Sequence, residues 1–335
     1  MSRTIPTITT PTMRAVVQDG YGTADVLRPA AVPVPGPLRD SEVLVRVHAA
    51  GLDRGTWHLM TGTPYAVRLV TGLRRPRQPV LGLDVAGTVV AVGAAVTRFA
   101  VGDEVYGIGK GSFAEYAVAR EDKLAAKPAG LAFARAAALP VSAITALQAV
   151  TDIAGVEAGQ RVLVTGASGG VGSYAVQLAV AAGAEVTGVC SAGKADLVRS
   201  LGAVHVLDYA VDDFAATDQR YDVIIDIAGN ASLSRLRRAL APSGTAVLVG
   251  GEGAGRLLGM SRQLRGLVVS LFGRQRLTLR VPKESAADLE RLTTLVEAGQ
   301  LTPAVETTYP LEQAGAAMRE LVAGRVRGKV AITVL

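Results

Sequence analysis

A short apolar run that leads directly into a glycine-rich turn and then into an apolar helix is the feature that most constrains this sequence. The segment reads RVLVT, GASGG and VGSYAVQLA, and it places Gly166, Gly169 and Gly172 three residues apart. In a strand–turn–helix unit, such glycines permit the tight exit from the strand, the approach of a pyrophosphate and the packing of the helix. The turn therefore predicts a dinucleotide site formed by Gly166, Ser168, Gly169, Gly170, Val171 and Gly172.

The same stretch excludes two other structures. It lacks the Gly-Lys-Ser or Gly-Lys-Thr ending of a P-loop. The run from Val162 to Ala184 has no charged side chain, and it exceeds the about 18 apolar residues that suggest a membrane-spanning helix. Glycine, serine and threonine interrupt it, however, so it is not a continuous span. We therefore expect no membrane partner.

The end of the second strand indicates which dinucleotide binds. An acidic residue there would bind the ribose hydroxyls of NADH, but the strand AEVTGVC has its acid, Glu185, at the start, about 16 Å from the carboxyl end. The end reads Cys190, Ser191, Ala192, Gly193, Lys194. Because a hydroxyl and an ammonium suit a 2′-phosphate, Ser191 and Lys194 favour NADPH. The alternative interpretation of Lys194 is an ordinary surface lysine.

Composition narrows the remaining classes of function. Of the 335 residues, 49% are hydrophobic and 19% are charged, which excludes a disordered chain. The net charge is +6, but the densest basic cluster, which consists of Arg68, Arg74, Arg75 and Arg77, contains no aromatic residue, so a nucleic-acid partner is not favoured. The single cysteine, Cys190, excludes an internal disulfide framework and indicates a reducing compartment, which we take to be the cytoplasm.

The pattern of apolar runs changes along the chain. From Met13 to about Leu124, short runs broken by glycine and proline predict a β-rich domain, with AAVPVPGP (Ala30 to Pro37) as a connection. From Arg161, strands and helices alternate, which predicts a parallel sheet covered on both faces. We expect an α/β protein with a disordered extension over 1–12, a β-rich domain formed by 13–132 and 283–335, and a cofactor domain over 133–282.

Several longer segments carry a resemblance to a known family. They are EVLVRVHAAGLDRGTWHLMTG at 42–62, PVLGLDVAGTVVAVG at 79–93, VGDEVYG at 101–107, LPVSAITALQA at 139–149, the glycine turn, LGAVHVLDY at 201–209 and RGKVAITV at 327–334. With these motifs the chain resembles the medium-chain dehydrogenase/reductase superfamily, and more closely its zinc-independent, quinone oxidoreductase-like branch. The resemblance implies a GroES-like, β-rich catalytic domain and a Rossmann-fold domain, with NADPH in the cleft.

The resemblance also implies particular cofactor contacts. Ser191, Lys194 and Tyr209 correspond to positions at the adenosine 2′-phosphate, and Thr145, Ala228 and Gly250 to positions along the path to the nicotinamide. We extend the predicted cofactor set to Gly229, Gly251 and Lys329.

The zinc ligands of the related alcohol dehydrogenases are missing from this sequence. Where those enzymes carry a GHE motif, this chain has Gly82, Leu83 and Asp84, and Asp53 stands where relatives of the branch often carry asparagine. With one cysteine and three histidines, no thiolate-rich site can form. A site built from His58, Asp53 and Asp84 is not favoured, so we predict no metal.

Without a metal to polarise a simple ketone, the predicted substrates are electron-poor acceptors. Quinones, enones and enoyl thioesters disperse the charge that hydride addition creates, so we expect an NADPH-dependent quinone or alkene reductase that acts mainly by positioning. The proton-donor candidates are Tyr65, whose position resembles that of a tyrosine in the enoyl reductases of this superfamily, and His58, with Asp53 as a third catalytic candidate.

Two other functions are compatible with the sequence. They are an NAD(P)-dependent alcohol or aldehyde dehydrogenase of the same superfamily, and an NADPH-binding protein, with or without RNA affinity, that has little turnover. The arginines between Arg68 and Arg77 either bind an anionic substrate tail or face water. We expect a homodimer, with LRGLVVSLF (Leu264 to Phe272) as a candidate edge strand.

Overall fold

The computed structural model describes residues 11–216, 218–250, 261–270, 273–279 and 283–335. The strands are β1 (Thr12–Val17), β2 (Arg28–Pro33), β3 (Glu42–Leu52), β4 (Asp84–Val92), β5 (Glu104–Ile108), β6 (Tyr116–Arg120), β7 (Leu124–Ala126), β8 (Arg161–Thr165), β9 (Glu185–Cys190), β10 (His205–Asp208), β11 (Tyr221–Asp226), β12 (Leu240–Leu248), β13 (Arg276–Thr278), β14 (Val305–Pro310) and β15 (Lys329–Thr333).

The helices complete the element order. They are α1 (Arg54–Thr61), α2 (Arg68–Thr71), α3 (Phe133–Ala137), α4 (Pro140–Leu147), α5 (Gly170–Ala181), α6 (Ala195–Ser200), α7 (Leu233–Ala239), α8 (Ser261–Ser270), α9 (Ala286–Glu297) and α10 (Ala314–Val322). The chain divides into two compact units. The first runs to Val141 and includes Glu284–Ala298 and Pro303–Leu335; the second comprises Ser142–Lys283 and Gly299–Thr302.

The first unit contains a seven-stranded sheet. Its order is β14-β15-β3-β4-β5-β7, and β6 also pairs with β3. Only β14 and β15 run in parallel; the other pairs of this sheet are antiparallel. The long strand β3 lies at its centre and buries Val43, Val45 and Val47 completely, while Arg46 between them is exposed. Leu44 is buried as well, so this part of β3 is covered on both faces and does not alternate strictly.

The second unit is built on a six-stranded parallel sheet of order β10-β9-β8-β11-β12-β13. The chain enters at β8, moves outward through β9 and β10, and then returns to the other side of β8 with β11. The strand order therefore reverses beside β8, where ligands bind in open α/β sheets. Val162, Leu163 and Val164 of β8 are completely buried, as expected for a strand in a parallel sheet that is covered on both faces.

Two sequence expectations about individual segments are wrong. Leu264 to Ser270 belong to helix α8 rather than to an edge strand, and the sheet ends at β13 instead. The helical conformation is favoured because Gly266 lets the helix lie against Leu248. In addition, the Ser270 hydroxyl donates to the Leu277 carbonyl oxygen at 2.9 Å and accepts from the Leu277 N–H at 2.6 Å. Leu271 and Phe272 lie outside the described residues.

The proline-rich stretch from Ala30 is the second correction. Residues 30–33 are not a connection but part of β2, which pairs with β1 from Val17↔Arg28 to Thr12↔Pro33. Prolines are tolerated here because β2 pairs on one side only, so a missing N–H leaves no gap in a sheet. Among the described residues, no helix combines the length and apolar character needed to cross a membrane.

Candidate functional site

The glycine turn connects β8 to α5 and leaves its backbone uncovered. Gly166 follows β8 with φ +66°, in the left-handed region that favours glycine. A Cβ on Gly172 would lie 2.0 Å from the carbonyl oxygen of Gly166, so only glycine fits at this close approach of helix and strand. A Cβ on Gly169 would meet only that same oxygen, at 3.3 Å, so the space above Gly169 is open.

The start of α5 is suited to an anion. Gly169 is the N-cap residue and, having no side chain, cannot cap the helix. The first N–H groups of a helix have no carbonyl partner within it, and the helix dipole is positive at this end. In α5 these groups belong to Gly170, Val171 and Gly172. The turn therefore fits a pyrophosphate, and Ser168 within it is buried.

A buried polar network holds the turn against the neighbouring strand. The Thr165 hydroxyl donates to the Asp226 carboxylate at 2.7 Å and accepts from the N–H of Ala228 at 3.2 Å. Asp226 is completely buried and forms an ion pair with Arg262 of α8, whose Nε donates to the carbonyl oxygen of Ala231. Helix α8 thus fixes the end of β11 next to the glycine turn.

The ends of β11 and β12 bring three more predicted residues together. Gly250 follows β12, its N–H donates to the carbonyl oxygen of Asp226 at 3.0 Å, and a Cβ on it would lie 1.9 Å from the Ile227 carbonyl oxygen. Ala228 and Gly229 occupy the facing turn, with Gly229 at φ +70°. Thr145 is half-buried on α4. Gly251 lies outside the described residues.

Ser191 and Lys194 follow β9, and Tyr209 follows β10. These strand ends are neighbours, because Cys190 pairs with Asp208 in the parallel register. The Tyr209 N–H donates to the carbonyl oxygen of Cys190 at 3.1 Å, and the Tyr209 side chain is 68% exposed. The three residues therefore lie at one edge of the sheet.

Two acids near this edge differ in position. Glu185 starts β9, at the far end of the strand, where its carboxylate lies 3.4 Å from His205. Asp208 ends β10 and lies near Cys190, and burial together with this neighbouring charge raises the pKa of the Cys190 thiol. The sequence analysis did not consider Asp208, because the acidic residue that binds the ribose hydroxyls of NADH was expected at the end of β9.

A second cluster of predicted residues lies in the first unit. Lys329, in β15, is 1% exposed, and its Nζ lies 3.6 Å from Oδ2 of Asp84 in β4, which is completely buried. Asp84 Oδ1 accepts from the Val141 N–H at 3.0 Å. Lys329 was predicted to contact the cofactor; in the structure its ammonium group faces a buried carboxyl of its own unit.

Asp53 completes this carboxyl cluster, which consists of Asp53, Asp84 and Lys329. Asp53 is 6% exposed and caps α1 by accepting from the Thr56 N–H at 2.7 Å. Among the described residues, neither Asp53 Oδ2 nor Asp84 Oδ2 accepts a hydrogen bond, since the Lys329 Nζ lies 3.6 Å from the latter, beyond hydrogen-bond distance. Burial, and then the charge of Asp53, raise the pKa of Asp84 well above its usual range, although Lys329 opposes the shift. The neutral form of the Asp84 carboxyl is therefore favoured in these surroundings.

His58 and Tyr65 lie further along the same segment. His58, on α1, directs its Nδ1 at the Thr63 carbonyl oxygen, 2.5 Å away, and its ring contacts Trp57 edge-on at 4.8 Å. Tyr65 begins a short turn after α1 and is 42% exposed, with the Arg68 guanidinium 4.7 Å from its ring centre.

Comparison with known proteins identifies the family. Residues 39–129 match the family model described as "Alcohol dehydrogenase GroES-like domain", and residues 201–332 match "Zinc-binding dehydrogenase". The chain is 34% identical to a chloroplastic quinone-oxidoreductase homolog of Spinacia oleracea, over 96% of this chain and 98% of that protein. The chain belongs to the zinc-independent, quinone oxidoreductase-like branch of the medium-chain dehydrogenase/reductase superfamily.

Two further relatives of this branch agree with that assignment. A mitochondrial NAD(P)H oxidoreductase of Bos taurus, RTN4IP1, is 31% identical over 96% of this chain and 89% of that protein. The quinone oxidoreductase structure from Coxiella burnetii superposes with a TM-score of 0.85 at 29% identity, covering 97% of this chain and all of that one. The predicted α/β class, with a GroES-like domain and a Rossmann-fold domain, is confirmed.

The zinc named in one family model does not fit the side chains present. Within the described ranges, no group of three His, Cys, Asp or Glu residues is placed to hold a metal ion. Asp84 already faces a cation, the ammonium group of Lys329, and the single thiol, Cys190, belongs to the other unit. The donor set therefore lacks the thiolate and imidazole ligands that zinc prefers.

Sequence reasoning missed the residues that support the site from behind. Asp226 and Arg262 hold the turn, and Lys329 pairs with Asp84, yet none of these roles follows from a local motif. A weak signal exists for Asp226, since a charged residue at the end of the apolar strand YDVIIDI requires a partner when it is buried.

Proposed function

We propose that this protein transfers a hydride from NADPH to a quinone or to an activated C=C bond of the enone or enoyl type, without zinc. The observation that carries the proposal is the end of β9, where Ser191 and Lys194 stand close to Tyr209 and the strand's own acid lies at its other end.

The protein's part in cofactor binding is electrostatic. The N–H groups at the start of α5 bind the pyrophosphate, and the Lys194 ammonium and Ser191 hydroxyl bind the 2′-phosphate. The Asp208 carboxylate at this edge of the sheet would repel the 2′-phosphate. Its Oδ1 accepts from the Ala210 N–H at 3.1 Å, so part of its charge is engaged by the backbone. We expect the balance to favour the phosphate.

The acceptor class follows from the chemistry that the chain can support. Bound NADPH supplies a hydride, and addition of hydride to one carbon leaves negative charge on the rest of the substrate. With no metal ligand set to stabilise an alkoxide, a conjugated acceptor is favoured because it spreads that charge over several atoms. The product then takes one proton from a donor.

Tyr65 is the proposed proton donor. Its phenol is partly exposed and has a nearby cation in Arg68. The N–H of His58 Nδ1 donates to the Thr63 carbonyl oxygen, so that proton is already held by the backbone. Asp53 is almost fully buried and caps α1, so its role is in the carboxyl cluster rather than in direct protonation.

A panel of acceptors tests the proposal. NADPH oxidation is measured with quinones, enones, an enoyl thioester and aldehydes, and again with NADH. We expect quinones or enones to be reduced with NADPH preferred. In Lys194→Ala, loss of one charge-assisted contact lowers the NADPH/NADH ratio of kcat/KM by about tenfold, whereas the exposed-lysine control Lys110→Ala leaves it unchanged. A preference for NADH, or turnover confined to alcohols and aldehydes, overturns the proposal.

We also propose that the protein is a homodimer in a cytoplasmic, reducing compartment. Leu264, Leu267 and Val268 form an exposed apolar stripe on α8, which packs against the sheet-edge strand β13. Such a stripe beside an unpaired edge is typical of a surface that another chain covers. A monomer by light scattering contradicts the dimer. The compartment rests on the single, buried Cys190.

A further inference from the structure

A second apolar surface lies in the first unit and belongs to no part of the proposed reaction. Leu69 is 70% exposed, Val70 79% and Leu73 68%. All three come from α2 and the residues just after it. Large aliphatic side chains scattered singly on a surface need no explanation, but three within five residues on one short element are a patch.

The protein holds this segment with its polar side facing inward. The Thr71 hydroxyl lies 2.7 Å from that of Tyr21, which also donates to the Gly72 carbonyl oxygen at 2.6 Å. Arg68 donates to the carbonyl oxygen of Gly62 and stacks on the Tyr21 ring at 4.6 Å. A helix on a protein surface ordinarily buries its apolar side chains. In this segment the polar side chains form hydrogen bonds with the protein, and the aliphatic side chains are exposed to solvent.

The patch is surrounded by positive charge. Arg74, Arg75 and Arg77 are exposed, and within the described part of the chain none of their guanidinium groups pairs with a carboxylate. The sequence between Asp53 and Asp84 contains no aspartate or glutamate. Residues 68–77, which we name the apolar–basic ledge, therefore combine exposed aliphatic groups with three exposed guanidinium groups, those of Arg74, Arg75 and Arg77, that have no carboxylate partner among the described residues.

We propose that the apolar–basic ledge docks the protein on the surface of a membrane that contains anionic lipids. Its guanidinium groups match lipid phosphates in charge and geometry, and its aliphatic side chains match the boundary between headgroups and acyl chains. In this proposal the protein binds the membrane surface and does not cross the bilayer. It therefore departs from the expectation of no membrane partner, which considered only a membrane-spanning helix.

Other occupants fit the ledge less well. A soluble anion such as a coenzyme A phosphate would use the arginines but leave the aliphatic groups in water. A second copy of the ledge would bring the same three arginines face to face across a two-fold axis, where like charges repel. A nucleic acid would call for aromatic side chains on which bases stack, and residues 68–77 contain none.

Co-sedimentation of the full-length protein with lipid vesicles tests the proposal. Vesicles of phosphatidylcholine alone are compared with vesicles that also contain phosphatidylglycerol, at low and high salt. We expect binding to the anionic vesicles only, and weaker binding at high salt. Arg74→Gln/Arg75→Gln/Arg77→Gln is expected to lower the partition coefficient about 100-fold, and Leu69→Ser/Leu73→Ser at least about tenfold.

The matched control is Val204→Ser/Val211→Ser, which removes two equally exposed aliphatic side chains from the other unit and is expected to bind like the wild type. Unchanged thermal unfolding of each variant verifies its fold. Equal binding to both vesicle types, no binding at all, or wild-type binding by the Leu69/Leu73 variant overturns the proposal. Displacement by coenzyme A together with that last result would identify a site for a soluble anion instead.

Discussion

The glycine turn and the carboxyl cluster contrast in how their sequences encode them. The turn is continuous, from Gly166 to Gly172, and its proposed function as a pyrophosphate site depends on backbone N–H groups and on the absence of side chains. The carboxyl cluster is assembled from β4, β15 and the start of α1, and its properties depend on buried charges. A site made of backbone can be recognised in a short motif, whereas a site made of charges depends on what the fold places around each one.

The largest expected effect breaks the turn. In Gly172→Ala, the new Cβ would meet the Gly166 carbonyl oxygen at 2.0 Å and Ala167 Cα at 2.8 Å, and backbone atoms cannot yield cheaply. We expect destabilisation by about 3 kcal/mol and loss of NADPH affinity by at least about 100-fold, measured by urea unfolding and fluorescence titration. Gly36→Ala, where a Cβ meets nothing within 4 Å, is the control. Unchanged affinity in Gly172→Ala would refute the assignment.

A charge deletion tests the carboxyl cluster. Lys329→Met removes the only ammonium facing Asp84 among the described residues and leaves that buried carboxyl without a counterion. We expect a loss of about 3 kcal/mol in the free energy of unfolding at a pH where Asp84 is ionised, since breaking a buried pair from one side is costly. The double variant Asp84→Asn/Lys329→Met should recover most of this loss, because no charge remains to be neutralised. A double variant as unstable as the single one would contradict a charge effect.

The smallest expected effect concerns pH. The raised pKa of Asp84 means that the folded chain retains a proton that the unfolded chain releases, so this contribution to stability is complete below the ordinary value of 3.8 and is lost as pH rises through the raised folded value. Asp53→Asn still caps α1 but removes the neighbouring charge. Without that charge the pKa of Asp84 is raised less, so we expect the free energy of unfolding to fall less than in the wild type as pH rises above the ordinary value of 3.8.

Urea unfolding at several pH values measures this difference. The groups facing Asp84 are Asp53, Lys329 and the Val141 N–H, and only the first is changed. Asp40→Asn, an exposed carboxylate on the same unit, serves as the control and should keep the wild-type pH dependence. If Asp53→Asn also keeps it, the charge of Asp53 does not raise the pKa of Asp84.

Prediction from sequence succeeded where the signal was local. The strand, turn and helix at β8 and α5 lie where the glycine spacing indicated, and Glu185 is at the start of β9 as expected. It failed at 264–270, where an apolar run suits a helix as well as a strand, and at Ala30, where proline suggested a connection. In both cases contacts with distant residues determined the secondary structure. The helix packs against Leu248 and Leu277, and the strand pairs with β1.

The sequence by itself determined the α/β class, the strand, turn and helix at β8 and α5, and the family, because glycine spacing and motif order are properties of neighbouring residues. Only the tertiary structure decided that Lys329 faces Asp84, that Asp226 and Arg262 hold the turn, and that Leu69, Val70 and Leu73 are exposed. The physical reason is that the energy of a charge or an apolar group depends on its surroundings, and residues distant in the chain supply those surroundings.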